Sequence, residues 1–305
     1  MTSQALALRL QRWVPSGRTL VIAIPFAFLT LFFLVPFIAV LKISLADQQF
    51  SIPPYSDLTS VEDYALNIRV NFEHYRTIFT DNLYLASYLS SLKVAAINTL
   101  ICLLIGYPTA YLIARANPRH RNVLLMAIIL PLWTSYLIRV YAWIGLLKDQ
   151  GLINQFLLWL GLIDSPLRLY RNDIGLHIGL AYSYLPYLIL PLYAHLVKMD
   201  MRLLEAAHDL GAKAWQSFLT ITLPLSTRGI VAGSLLVFIP TVGEYVIPEI
   251  LGSSDSMMIG RVMWDDFFNN TDWPVAAAAT CVMVLLLLLP MAWFQTVQNK
   301  ELKRI

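Results

Sequence analysis

Six long apolar stretches separated by short polar segments dominate the chain: 19–45, 87–114, 123–147, 174–197, 229–251 and 274–295. Each is long enough to cross a hydrocarbon layer of about 30 Å as a helix. In that solvent every exposed backbone group must be bonded within its own segment, which single apolar runs achieve as helices. The pattern therefore predicts an all-α integral membrane protein with six transmembrane helices. Prolines interrupt the runs at Pro25, Pro36, Pro108, Pro131, Pro186, Pro191, Pro240 and Pro290. A soluble helix tolerates interior proline poorly, whereas membrane helices re-bond the freed carbonyls through neighbours and side chains. Kinks are expected, at positions the sequence does not give.

The polar remainder sets the organisation: a segment 1–18, the first span 19–45, an outer loop 46–86 with a short helix, and a tail 299–305. Between the outer loop and the tail lies a five-helix core, 87–298, containing an internal loop at 198–224. In the outer loop, Phe72, Tyr75, Ile78 and Phe79 fall on one face of a short helix. That face suits either the membrane interface or ordinary packing. A second outer stretch, 151–162, is too short to span and reads as an interfacial or re-entrant helix. The first run follows Arg9, Arg12 and Arg18, yet it is too long for a signal peptide and no small-residue cleavage motif follows.

Composition agrees: 58% of residues are hydrophobic and only 13% charged, about half the charge of a soluble surface. A net charge of +3 in so apolar a chain gives no footing for nucleic-acid binding. Location of the charge is more telling. With the amino terminus inside, 13 of the 22 Lys and Arg residues but only four of the 19 acidic ones fall on the inner face. The positive-inside rule then places both termini in the cytoplasm. Cys102 and Cys281 lie in apolar runs with no CxxC, the five histidines lack metal-ligand spacing, and no GxxxxGK[ST], HExxH or GxSxG motif occurs. The chain is read as non-catalytic, with no cofactor of its own.

The internal loop differs from the rest. Asp200 suits a helix N-cap, Arg202 to Leu210 are good helix formers, and Gly211 suits a left-handed terminus. A second short helix would follow from Ala214 before Pro224 redirects the chain. Such a knob fits a partner's groove, with Leu203, Leu204, Ala206, Ala207 and Leu210 as contacts and Glu205 and Asp209 one turn apart as charged fasteners. On the outer side, Glu244 follows Gly243 inside the fifth run. Its carboxylate would line a protein cavity or pair structurally with Arg139. Asp265, Asp266 and Asp272 add carboxylates, and Trp133, Tyr136, Tyr182 and Tyr184 add ring faces, which suit either an ammonium with an apolar stem or anchoring at the membrane interface.

The run Glu205-Ala206-Ala207-His208-Asp209-Leu210-Gly211-Ala212, followed by Phe218 to Pro224, resembles the EAA loop of permease subunits in binding-protein-dependent ABC importers. Gly106-Tyr107-Pro108, the stretch from Leu130 to Trp143, Gly243-Glu244-Tyr245 and Asp272-Trp273-Pro274 look like the spermidine/putrescine permeases of that group. The resemblance implies a bacterial inner-membrane, multi-pass subunit of the type I (MetI-like) design. It would form half of a polyamine path. Its partners would be an ATPase dimer carrying ATP and Mg, a second homologous permease, a periplasmic polyamine-binding protein and membrane lipid. It further implies that Glu205 and Gly211 sit in the helix and turn that dock to the ATPase, where Ala206, Ala207, Asp209 and Leu210 are the neighbouring contacts read from the loop itself. It also implies that Tyr184, Glu244 and Tyr245 make outward-side contacts, which join Trp133, Asp265 and Asp266 as candidates for the path. The alternatives are an importer of another amino compound and, further off, a secondary transporter, which would not need the docking loop.

Overall fold

The computed structural model describes residues 17–62, 65–253 and 256–302. Most of the expected amino-terminal segment 1–18 and the end of the tail, 303–305, lie outside the described residues. One compact unit takes in the described residues up to Thr77 together with Thr271–Cys281; the other takes in Ile78–Asn270 and the described residues from Val282.

In the first unit, α1 (Gly17–Leu29) runs through a π turn, Thr30–Leu34, into α2 (Val35–Ser44). Pro36 explains the turn: lacking an N–H and crowding the preceding turn, it loosens the ladder that the wider i to i+5 bond from Val35 to Thr30 then closes. Between Val21 and Ser44 the helix is apolar and almost wholly exposed, as a lipid-facing span is. Beyond it, a two-stranded hairpin, β1 (Thr59–Glu62) with β2 (Ala65–Ile68), adds a small sheet that the sequence pattern does not announce. Tyr75, on α3 (Glu73–Thr80), bonds Ser44 at 2.7 Å, and the Asn71 side-chain amide donates to Asp47 at 2.6 Å.

The second unit is built on α4 (Asn82–Arg115), α8 (Asp173–Leu196) and α11 (Leu223–Val242), packed side by side around Ala110, Leu180, Leu188, Ile189 and Val237. Lipid tails are as apolar as leucine, so close backbone approach rather than water exclusion holds such helices together. Glycine provides that approach. A Cβ on Gly233 would sit 3.0 Å from the Leu188 carbonyl oxygen, and one on Gly229 would sit 2.9 Å from the His195 Cβ.

The expected third span, 123–147, is not one helix. α5 (Pro118–Ile129) tightens into a 3₁₀ turn at Leu130–Trp133, Thr134 and Ser135 are extended, and α6 (Tyr136–Leu147) then leads to α7 (Leu152–Trp159). The two arms meet at 95°. Pro131 closes off the helical ladder, and its carbonyl accepts both the Thr134 N–H at 3.2 Å and the Thr134 hydroxyl at 2.7 Å, which pins the end of the turn. Among the described residues, five helices are long and apolar enough to cross a membrane, or six if the bent pair counts as one span.

Gly233→Val should push α8 and α11 apart and cost about 1–3 kcal/mol as an overpacked contact. Gly145→Ala, where nothing lies within 4 Å, should hold or raise stability. Thermal unfolding of the detergent-purified protein checks this; equal midpoints for the two variants would contradict the close-approach account.

Candidate functional site

The internal loop forms α9 (Arg202–Asp209), a turn, α10 (Ala214–Ser217) and a π turn, Phe218–Thr222, that leads directly into α11. Asp200 accepts from the Arg202 N–H at 3.0 Å, which bonds one donor at the helix start, and Gln216 does the same for the Lys213 N–H at 2.8 Å. Gly211 has φ +83° with open space around it, so backbone conformation rather than crowding calls for glycine there. Leu204 is buried within the chain and is therefore not a contact for a partner, contrary to the sequence expectation. Glu205, Ala206 and Asp209 are exposed, Ala207 is half-buried, and Leu210 is 89% exposed at the tip. Trp215 and Leu219 add exposed apolar surface on the next turns.

At its base this loop is anchored. The Phe218 ring meets the Tyr107 and Tyr111 rings edge-on at 5.6 and 6.4 Å, and the Tyr107 and Ser226 hydroxyls bond at 2.9 Å. An exposed tip on a fixed base can transmit a push without unfolding. As at Pro36, Pro224 follows a π turn, closed here by the Leu223 N–H on the Phe218 carbonyl.

At the far end of α11 lies the second group. Gly243, Glu244 and Tyr245 break the chain between α11 and α12 (Val246–Leu251). Glu244 is buried, and its partners explain why that is tolerable. One carboxylate oxygen accepts from the Val246 and Ile247 N–H groups at 3.0 and 3.4 Å; the other accepts from the Tyr184 hydroxyl. The carboxylate thus caps α12 and ties it to α8. Tyr136 lies close enough to Glu244 and Tyr184 to act on both electrostatically. Arg139 does not pair with Glu244; its guanidinium lies 5.7 Å from the centre of the Tyr136 ring, with Nε and Nη1 buried and unbonded.

α13 (Ile259–Trp264) runs into a π turn, Asp265–Asn269, and packs against this break. A Cβ on Gly260 would sit 2.5 and 2.6 Å from the Gly243 and Glu244 carbonyl oxygens, so backbone meets backbone. Ser91 of α4 accepts from the Ile259 N–H at 2.8 Å, and Tyr84 donates to Asp266 at 2.8 Å. Asp266 is buried and also takes the Asn270 amide at 3.1 Å. Asp265 is only half-buried and takes the Asn269 amide at 2.7 Å. Tyr245 stacks on Trp264 at 4.2 Å and 11°, and Trp264 lies 4.1 Å from Phe268.

The six outer candidates therefore separate. Tyr184 and Glu244 form one buried cluster, Tyr245 and Asp265 belong to a second and more open one, and Asp266 is tied to α4. Trp133 stands exposed on the 3₁₀ turn and makes no ring contact with either tyrosine. Sequence reasoning missed Trp264, Phe268, Glu249, Arg261 and Gly260. The i, i+4 spacing of Trp264 and Phe268 around two aspartates was the available signal.

Tyr184→Phe leaves a buried carboxylate oxygen without its hydroxyl donor and should cost about 1–3 kcal/mol. The thermal midpoint of the purified variant checks this, and an unchanged midpoint would contradict the capping account.

Comparisons with known proteins agree with this architecture. Residues 103–304 match the family described as binding-protein-dependent transport system inner membrane component. The spermidine/putrescine transport system permease protein PotB of Haemophilus influenzae is 37% identical over 284 residues, 93% of this chain and 94% of that protein. Its Escherichia coli namesake is 43% identical over 216 residues, 70% of this chain and 78% of that one. Among solved structures, a bacterial alginate ABC transporter matches with a TM-score of 0.69 at 16% identity, covering 92% of this chain and 93% of the other. The MetNI methionine ABC transporter matches at 0.55 and 14%, covering 72% and 95%. At such identities these two speak for the fold alone, and that fold is the MetI-like permease fold. On the family match and the two permease relatives, the chain belongs to the inner membrane components of binding-protein-dependent transport systems.

Proposed function

We propose that this chain is the membrane-spanning permease subunit of an ATP-driven polyamine importer, carrying putrescine, spermidine or both. The observation that carries the reading is identity of 37% and 43% to two permeases named for spermidine and putrescine, one of them matched over nearly its full length. The chain forms half of the path beside a second, homologous permease. An ATPase dimer binds ATP and Mg on the inner side, and a periplasmic binding protein delivers the substrate on the outer side. Both termini are cytoplasmic, on the distribution of Lys and Arg.

In this reading α9 is the coupling helix. Glu205, Ala206, Ala207, Asp209 and Leu210 meet the groove of the ATPase, and Gly211 sets the turn between α9 and α10. What favours the assignment is exposure of the acidic and apolar residues at the tip over an anchored base. α11 begins where the loop ends and finishes at the Glu244 break. Its 20 residues span about 30 Å at 1.5 Å each, the thickness of the hydrocarbon layer. One rigid helix thus joins ATPase docking to the outer side of the path. The permease does no covalent chemistry. It has two states, and ATP binding by its partner favours one of them. Tyr184, Glu244, Tyr245, Trp133, Asp265 and Asp266 are the candidates for the path.

Reconstituted with its partners in liposomes, the complex should take up labelled putrescine or spermidine only with ATP and the binding protein present. Uptake of neither, alongside uptake of another amine, would replace the substrate class while leaving the permease role. Glu205→Lys should lower uptake at least tenfold by turning a fastener into a repulsive charge, with membrane abundance unchanged. Full uptake by that variant would remove Glu205 from the coupling surface.

A further inference from the structure

Three carboxylates stand among the path candidates, and their surroundings differ. Glu244 is saturated by two backbone N–H groups and a tyrosine hydroxyl. Asp266 is buried between Tyr84 and Asn270. Asp265 is half-buried, with one side-chain amide on one of its oxygens. Beside it runs the ladder of Tyr245, Trp264 and Phe268, with ring centres 4.2 and 4.1 Å apart; Trp264 is 39% and Phe268 57% exposed. Glu249 also lies near the Tyr245 phenol, but Arg261 holds it through an Nε contact of 2.8 Å.

We infer that Asp265, with the exposed rings of Trp264 and Phe268, is the point at which this chain recognises one primary ammonium and its adjoining methylenes. The inference rests on the polyamine reading and deepens it. An ammonium needs a counter-charge that is neither buried nor already paired, and Asp265 meets that condition best among the three candidate carboxylates. Its alkyl stem needs apolar cover, and an ammonium gains further from an aromatic face. Phe268 stands at the exposed end of the ladder, three residues from Asp265 on the same turn. Arg261 neutralises Glu249, and Glu244 and Asp266 are occupied by their buried hydrogen bonds, so Asp265 is the carboxylate left beside the rings for one ammonium at a time. The remaining ammonium groups of a polyamine stay with other parts of the path. Single occupancy also suits transport, where a site must release what it binds. The short helices bearing these groups are held by Ser91, Tyr84 and the Gly260 contact, so the site rests on a fixed frame rather than a free loop.

The test uses the complete reconstituted complex, with putrescine presented by saturating loaded binding protein. Asp265→Asn and Phe268→Ala should each lower the uptake rate on the order of tenfold, with assembly of the complex retained. Asp265→Glu should restore most of the rate, which a merely structural role for the side chain would not predict. Asp149→Asn, an exposed carboxylate in the turn between α6 and α7, should leave it unchanged. If the wild-type complex imports putrescine and both Asp265→Asn and Phe268→Ala import it equally fast, this assignment is wrong while the polyamine reading stands. If the wild-type complex imports no polyamine, the substrate reading itself fails and this inference with it.

Discussion

A backbone break beside an apolar span survives only where something other than the helix bonds the freed amide groups. Between α11 and α12 that role belongs to Glu244, whose carboxylate takes two N–H groups and one tyrosine hydroxyl. Everything around it follows from that requirement. A buried charge must be fully bonded, which draws Tyr184 of α8 inward. The bonded break is narrow enough for the Gly260 backbone to lie against it. The short helix and π turn that carry the half-buried Asp265 and the rings of Trp264 and Phe268 are set on this joint.

Much of the fold was legible in the sequence because hydrocarbon is a simple solvent. Long apolar runs have one stable form in it, so an all-α chain with five or six long apolar helices follows from length and hydropathy. The 95° bend in the third run was not legible. Pro131 marks a disturbance, but the extended conformation of Thr134 and Ser135 depends on tertiary packing, which a one-dimensional pattern does not contain. The hairpin at 59–68 was missed for a related reason: four-residue strands are too short for their alternation to stand out.

The two candidate sites differed in legibility as well. The internal loop announces itself locally, through a capping aspartate, a helical run and a glycine that proves to have positive φ. Only the inward turn of Leu204 needed the structure. The outer carboxylates looked alike in sequence and are not alike in space. Glu244 and Asp266 are consumed by hydrogen bonds from elements distant in the chain, Tyr184 and Tyr84, and no spacing rule anticipates such partners. The aromatic ladder likewise joins Tyr245 to Trp264 across an intervening helix.

The account turns on the loop at one end of α11 and the cluster beyond its other end lying on opposite faces of the membrane. Asp209→Cys and Asp265→Cys, each exposed to a membrane-impermeant thiol reagent in sealed vesicles of known orientation, test this directly, since Cys102 and Cys281 are buried. The account predicts that the reagent reaches position 209 only from the cytoplasmic side and position 265 only from the periplasmic side. Labelling of both positions from the same side would contradict it.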